Sequence, residues 1–331
     1  MEKSAARKRL LIYLGLVFTL TYLYEFLVVI PAVTKPGASG MWPTLLTGTV
    51  MLVPALSVLL TRLITREGFK DAWIKPHLNR RWRYYVAAWL APPIFTVIGC
   101  ALYFLLFPQN YDGELSYFSS ILAQSGQTLE GSMLWVMILA SLAQSIVLAP
   151  VLNIITCFGE EWGWRGYMMP KFLESGVKII PSLLVGGVLW GLWHAPLTWG
   201  IGHNYGMGYA GYPWTGILAM CGMCLALGTF FTFLSLRARS CLPAVLAHGA
   251  FNGIAPLGIY LTTGEYNPFI GPMPTGIIGG LALLITAVAL ALIMARDEKR
   301  GELIYEPAAE APAPVAPINI DPDNPFGGKR A

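Results

Sequence analysis

Charged side chains are scarce in this amino-acid sequence. Asp, Glu, Lys and Arg make up 12% of its 331 residues, whereas hydrophobic residues make up 55%. Roughly a quarter of the residues in a soluble domain are charged, and a water-soluble fold could not hide so large an apolar fraction. The composition therefore predicts an integral membrane protein.

Cysteine is also scarce, and its number is odd. The five cysteines lie mostly within apolar runs, which argues against the disulfide framework of a secreted domain. Cys221 and Cys224 form a CGMC stretch. We interpret that pair as small-residue packing inside a membrane helix rather than as a metal or redox site.

Eight segments are long and apolar enough to cross a membrane. A membrane helix needs about 20 apolar residues, because unpaired backbone groups are not tolerated in the hydrocarbon layer. The first segment is too long for the apolar region of a signal peptide, so we expect it to be retained. The predicted spans are Leu10–Val33, Trp42–Leu63, Tyr84–Phe107, Met133–Phe158, Ile180–Trp199, Gly216–Leu236, Pro243–Thr262 and Gly276–Ala295.

The basic residues support this order of spans. Every Lys and Arg except Lys35 falls in alternate connections, counted from the N-terminus. Because Lys and Arg accumulate on the cytoplasmic side, the pattern predicts a multi-pass protein with both termini cytoplasmic. These loops also account for the net charge of +4, so no nucleic-acid partner is predicted. Residues 301–331 are rich in Pro, Ala and acidic residues, which predicts a disordered cytoplasmic tail after a membrane domain at 1–300.

Ionisable groups in the apolar layer are costly and tend to be functional, so they indicate where chemistry could occur. In the stretch EEWGWR, Glu161 and Arg165 are four residues apart and can pair on one helix face. Glu160 then points about 100° away, toward a possible cavity. The alternative is a helix end with ordinary solvated charges. The few such groups are Glu25, Glu160, Glu161, Arg165, His194 and His248.

Two later spans carry the histidines. His194 lies deep in the fifth span, and Pro196 loosens the backbone hydrogen bonding near it. His248 and Asn252 share one face of the seventh span, where they could stabilise an oxyanion or orient a water. The alternative for each motif is hydrogen-bonded packing between helices. Glu160 and His194 can meet only if the fourth helix extends or tilts into the layer, or if the fifth starts outside it.

Taken together, three motifs resemble those of a known family. EEWGWR (Glu160–Arg165), WGLWH (Trp190–His194) and HGAFN (His248–Asn252) are similar to the EExxxR, FxxxH and HxxxN motifs of the CAAX protease and bacteriocin-processing (CPBP) family. The resemblance covers about Pro150–Gly253. In this chain Trp190 stands where the family usually has Phe.

The resemblance implies an all-α integral membrane endopeptidase of about eight transmembrane helices, with a polar catalytic cavity open toward the cytoplasmic side. It implies that Glu160 and His194 activate a water molecule and that His248 and Asn252 stabilise the oxyanion. Glu161 and Arg165 are expected to support them. The substrate would be a prenylated CAAX-type segment or another lipidated or hydrophobic peptide, which arrives from the surrounding membrane lipids.

Two alternatives stay open. Glu160, His194 and His248 could ligate zinc, although the HExxH motif common in zinc proteases is absent. We favour a mechanism that requires no cofactor. The chain could instead be a non-proteolytic membrane protein, either a proton- or ion-coupled transporter or a scaffold that binds partner helices. Glu25 fits that second class, but no pair of broken spans indicates an inverted repeat.

Overall fold

A computed structural model describes residues 2–38, 41–79, 81–124 and 126–304. In these ranges the chain is helical and forms no β-sheet, as expected for an all-α integral membrane protein. The predicted tail lies outside the described residues from position 305 onward.

The first two spans are formed by α1 (Glu2–Tyr24), a π-helical turn (Glu25–Val29) and α2 (Ile30–Thr34), then by α3 (Met41–Thr49), a 3-10 turn (Val50–Leu52) and α4 (Val53–Ile64). One face of the first span is fully buried and carries both apolar and polar side chains. Its residues recur every fourth position, which places them in a single stripe against the other helices. The stripe comprises Tyr13, Val17, Thr21, Glu25 and Val29.

The middle of the chain contains one long span and a broken one. The third span is α5 (Trp82–Leu106), and a short α6 (Ser116–Gln124) precedes the fourth. The fourth consists of α7 (Ser132–Val147), α8 (Ala149–Leu152), α9 (Ile154–Gly163), a π-helical turn (Trp164–Met168) and α10 (Met169–Glu174).

The last four spans complete the bundle. They comprise α11 (Ile179–Trp193) with α12 (Ala195–Ile201), α13 (Trp214–Ala238), α14 (Leu242–Ile254) with α15 (Leu257–Tyr260), and α16 (Leu281–Arg300). Six helices in the described ranges are long and apolar enough to cross a membrane. The other two predicted spans correspond to the broken fourth segment and to α16, whose last turn is charged.

The predicted end of the fourth span at Phe158 is wrong, because the helix continues through the charged motif to Glu174. It can stay buried there because Glu161 and Arg165 neutralise each other. At 1.5 Å per residue, Glu160 lies about 21 Å from the end of α10, and His194 lies about 22 Å from the start of α11. The helix extension thus brings the two side chains to a similar depth.

The connections sort into two ends of the bundle. At the end that we call the basic end, Glu67 contacts Arg9 and Lys171, and Arg237 pairs with Asp297. At the opposite end, the backbone N–H of Asp112 donates to the carbonyl of Leu261. The predicted alternation of basic and non-basic connections therefore corresponds to a separation in space.

Candidate active site

The helix of the fifth span is interrupted at His194, and residues of the first span form hydrogen bonds with the residues beside this break. Pro196 has no N–H, so it leaves the carbonyl of Leu192 without its usual helical partner. The hydroxyl of Tyr22 donates to that carbonyl at 2.7 Å. One residue along, the Nε1–H of Trp193 donates to Thr21 Oγ1 at 2.7 Å. The first span thereby fixes the backbone on which His194 is mounted.

The ring of His194 is oriented by its own helix. Its Nδ1 lies 2.9 Å from the carbonyl oxygen of Trp190. Because a carbonyl only accepts, this geometry assigns the proton to Nδ1 in the neutral ring and leaves the lone pair on Nε2. His194 also lines a cavity between the helices. Its Nε2 is therefore available to a water molecule or a substrate.

Glu161 is held on both of its carboxylate oxygens. The Nη1 of Arg165 donates to Oε1 at 3.0 Å and to Oε2 at 2.9 Å. The Nδ1 of His248 lies 2.8 Å from Oε1. All three side chains are buried. This arrangement joins the first and third sequence motifs in one charged network and leaves Glu161 no free oxygen.

Glu160 has a different environment, although it is the adjacent residue. Among the described residues, its carboxylate accepts a single hydrogen bond, from the Nε1–H of Trp190 at 2.5 Å, and the residue is 1% exposed. It lines the cavity, whereas Glu161 and Arg165 lie behind the cavity wall. The turn of the helix thus separates a cavity-facing carboxylate from one that is fully bound.

The cavity has a volume of about 320 Å³. Glu160, His194 and His248 lie on its wall together with Asn252. The amide of Asn252 is exposed, and its Nδ2 lies 4.0 Å from Cys157 Sγ. The structure therefore brings all four predicted catalytic side chains to one cavity, with Glu161 and Arg165 adjacent to it.

Large aromatic side chains close the site on the side of the basic end. Trp164 and Tyr167 pack on that side of the site and are fully buried, as is Tyr13 of the first span. Lining residues such as Asn204 and Thr275, which come from connections at the opposite end, are partly exposed. Partly exposed residues of the non-basic connections therefore line the cavity on one side, and buried aromatic side chains fill the space on the other.

Sequence reasoning missed His203. The His203 ring stacks on His194 with 6.0 Å between centroids and lines the same cavity. Burial lowers the pKa of His203 to about 4, so the ring is neutral at physiological pH. The scarcity of histidine was the one signal in the sequence that could have indicated His203. The chain has four histidines, and His194, His203 and His248 all line this cavity.

A cysteine also reaches the site. Cys224 lines the cavity, and its Sγ lies 3.8 Å from His194 Nδ1. That nitrogen is already engaged by the carbonyl of Trp190, so it is a donor and cannot remove the thiol proton. The geometry does not make Cys224 an activated nucleophile.

The donor atoms that could hold a metal differ from the predicted set. Those of Glu160, Glu161 and His248 lie within 4.8 Å of one another, and His194 is not among them. Glu161 and His248 are already bonded to each other, and Arg165 occupies both Glu161 oxygens. A metal ion would have to displace a guanidinium, so these residues fit a zinc site poorly.

Glu25 stands apart from this cluster. It is fully buried, lies in the π-helical turn of the first span, and has no hydrogen-bond partner for either carboxylate oxygen among the described residues. Buried polar groups normally find a partner, and π-helical turns are common at functional sites. It does not line the cavity described above.

Comparison with known proteins supports the resemblance stated above. Residues 141–254, about a third of the chain, match the family model described as type II CAAX prenyl endopeptidase Rce1-like. The matched segment contains all three motifs. No curated protein and no solved structure matches the chain.

Proposed function

We propose that this chain, which belongs to the CAAX protease and bacteriocin-processing family through residues 141–254, hydrolyses a peptide bond with water activated by Glu160 and His194. One observation supports the proposal above the others. Glu160 is a buried carboxylate with a single hydrogen bond, and it shares a cavity with both motif histidines. Such a group is free to exchange a proton with a bound water molecule.

In the first step, water attacks the carbonyl carbon of the scissile peptide. Glu160 accepts a proton from the water, and His194 Nε2 orients the water through its lone pair. The new C–O bond places negative charge on the former carbonyl oxygen. Electrostatic interactions with this developing charge are stronger in low-dielectric surroundings than in water. The buried position of the cavity therefore favours this proton transfer over the same step in solution.

In the second step, the C–N bond breaks. His248 and the amide of Asn252 stabilise the oxyanion, and Glu160 returns its proton to the leaving nitrogen. The products are a carboxylic acid, which then loses its proton to solvent, and an amine. Glu161 and Arg165 do not react; they hold His248 at the cavity wall through the 2.8 Å contact.

The substrate is a membrane-associated peptide, in keeping with the apolar surroundings of the site. A prenylated CAAX-type segment is one class of such a peptide. No Lys or Arg lines the cavity among the described residues. The cavity thus suits an uncharged stretch of backbone within a longer chain, which favours an endopeptidase over an enzyme that recognises a free C-terminal carboxylate.

The test is cleavage of a quenched fluorescent farnesylated CAAX peptide and of a membrane-anchored peptide by purified protein in detergent. Glu160→Gln should abolish cleavage while peptide binding persists, whereas Glu130→Gln, an exposed matched control, should cleave like the wild type. Cys224→Ala should retain cleavage. Undiminished cleavage by Glu160→Gln would refute the mechanism, and loss with Cys224→Ala would indicate a thiol nucleophile.

A non-proteolytic transporter predicts another result. Glu160→Gln would then change flux of protons or ions across proteoliposomes, and the wild type would cleave neither peptide. A scaffold would be indifferent to the substitution in both assays.

A further inference from the structure

His203 is the cavity histidine that takes no part in the proposed steps of hydrolysis. Its ring is parallel to that of His194 within 4°, and the two ring centroids are 6.0 Å apart. Among the described residues, neither ring nitrogen of His203 has a hydrogen-bond partner. Neither nitrogen is fully buried, and the residue lines the cavity, so both nitrogens are accessible to a molecule bound there.

The backbone that carries His203 is fixed by a tight turn. Helix α12 ends at Ile201, and Gly202 adopts the left-handed conformation with φ 66° and ψ 32°. A Cβ at position 202 would lie 2.6 Å from the backbone of Gly206, so the turn requires glycine there. The backbone N–H of His203 donates to the Leu197 carbonyl at 3.3 Å. The turn therefore holds the ring at the cavity wall before any ligand binds.

Tyr205 anchors the same turn to the rest of the bundle. It is 3% exposed, and its ring stacks on Phe269 with 5.0 Å between centroids. Its hydroxyl donates to the carbonyl of Thr275 at 3.3 Å. A group that is already held in place loses less conformational entropy when it binds a ligand. His203 is thus preorganised as a binding residue.

The protonation state of His203 decides what the ring can do. Burial lowers its pKa to about 4, so the ring is neutral near pH 7. A neutral imidazole has one N–H donor and one acceptor nitrogen in either tautomer. Because the protonated form is scarce at pH 7, the ring is poorly suited to protonate a leaving group. It is suited to hydrogen bonding with an uncharged polar group, and a peptide group likewise has one donor and one acceptor.

The separation of the two stacked rings indicates which part of a peptide would lie beside His203. In the proposed mechanism His194 orients the attacking water, so the scissile bond lies beside His194. An extended chain advances by about 3.3–3.6 Å per residue, so two residues span about 7 Å. That length is similar to the 6.0 Å between the rings. The backbone about two residues from the scissile bond would therefore lie beside His203.

We propose that His203 is a substrate-binding residue, whose imidazole forms a hydrogen bond with a backbone amide group of the peptide about two residues from the scissile bond. The residue holds the peptide in an extended form and does not react. This inference rests on the proposed hydrolase function for the position of the scissile bond. The contact with peptide backbone does not depend on that function.

Kinetics of three variants provide the first test, on whichever of the two peptides the wild type cleaves. His203→Phe keeps an aromatic ring beside His194 but removes both nitrogens, whereas His203→Gln supplies a donor and an acceptor again. The matched control is His77→Phe, the same change in the basic loop after α4, outside the cavity. It should have wild-type kinetics.

We expect His203→Phe to raise KM roughly 2- to 12-fold, the range for one neutral hydrogen bond, with little change in kcat. His203→Gln should bring KM back toward the wild-type value. An unchanged KM in His203→Phe would overturn the proposal. A lower kcat that His203→Gln does not restore would also overturn it, because His203 would then act only by packing against His194.

The second test uses the substrate and needs no variant to fold. Each peptide in a series carries one ester in place of an amide that flanks the scissile bond. An ester has no N–H, and its carbonyl is a weaker acceptor, so it weakens a hydrogen bond of either direction. With the wild type, we expect KM to rise for the ester about two residues from the scissile bond.

The combination of ester and variant identifies the contact. If His203 binds that amide, His203→Phe should add no further rise in KM for the sensitive ester, while the two effects should multiply for the other esters. The absence of a sensitive position, or effects that multiply at every position, would overturn the proposal.

Peptide binding separates this inference from the hydrolase function. The affinity of Glu160→Gln for the peptide is compared with that of the double variant Glu160→Gln/His203→Phe, which should bind roughly 2- to 12-fold more weakly. If the wild type cleaves neither peptide but this difference remains, the hydrolase function fails and His203 still binds peptide. Equal affinities would overturn the role of His203, whether or not the wild type cleaves.

Discussion

The adjacent glutamates of the site should respond in opposite ways to the same isosteric substitution. Glu160 accepts one hydrogen bond, and the carbonyl oxygen of a glutamine can still accept it. Glu161 accepts bonds from Arg165 and His248 with both oxygens. Glutamine at 161 would leave a buried guanidinium without its counter-charge. We therefore expect Glu160→Gln to lose activity with native stability, and Glu161→Gln to lose stability.

The magnitudes follow from these contacts. Removing one partner of a buried ion pair costs about 3–5 kcal/mol, which sets the expected loss for Glu161→Gln. One neutral hydrogen bond contributes about 1 kcal/mol, so Glu160→Gln should change the free energy of unfolding by no more than about that amount. General-base catalysis contributes roughly 10²- to 10⁴-fold in rate, which sets the expected loss of kcat for Glu160→Gln.

Both quantities can be measured on the same detergent-solubilised protein, by denaturant unfolding and by peptide cleavage. The comparison is internal, because the two variants differ by one position and carry the same chemical change. Equal stability of the two variants would refute the assignment of Glu161 to the buried network. A fully active Glu160→Gln would refute its assignment as the base, whatever the stability of Glu161→Gln.

Three further predictions concern other contacts. Tyr22→Phe removes the hydrogen bond to the Leu192 carbonyl. It should lower kcat with little change in KM and reduce the free energy of unfolding by about 0.6–1.7 kcal/mol. The control is Tyr24→Phe, which removes a hydroxyl that contacts Thr49 and should leave kcat unchanged in the same assay. Burial of Glu67 opposes its ionisation, but the hydrogen bonds from Lys171 and Tyr167 and the charges of Lys171 and Arg62 together outweigh it and lower the pKa of Glu67 below the ordinary 4.5. That carboxylate therefore stabilises the fold above pH 4.5 and less as pH falls below it, so unfolding curves of Glu67→Gln and wild type should differ at pH 7 and converge in acid. A zinc chelator should leave cleavage intact, and loss restored by added zinc would contradict the cofactor-free mechanism.

The sequence predicted the parts of the site that depend on local spacing. A separation of four residues on a helix suffices to place Glu161 beside Arg165, and a rotation of about 100° suffices to turn Glu160 away from them. The contact between Glu161 and His248 joins residues 87 positions apart, which no local period reports. The predicted fourth span was also too short. A hydropathy scale scores each charged residue as unfavourable in the membrane, even when two charges such as those of Glu161 and Arg165 neutralise each other.

The first span shows a second limit of sequence reasoning. Pro196 indicated that the backbone near His194 is loosened, but nothing in the spacing indicated which residue binds the freed carbonyl of Leu192. The partner is Tyr22, 170 positions away. Likewise, the side on which the cavity is closed depends on which connections pack over the site. The basic-residue pattern orients the bundle but contains no information about where space is left between its helices.

Trp190 explains how three separate motifs form one site. Its indole N–H donates to Glu160, its carbonyl orients His194, and its ring lies 3.9 Å from the Arg165 guanidinium and edge-on to His248. A phenylalanine, which the family motif usually has here, would keep the ring and the carbonyl but could not donate to Glu160. The substitution is therefore more than a change of packing in this chain, because it supplies a hydrogen bond that holds the proposed base at the cavity wall.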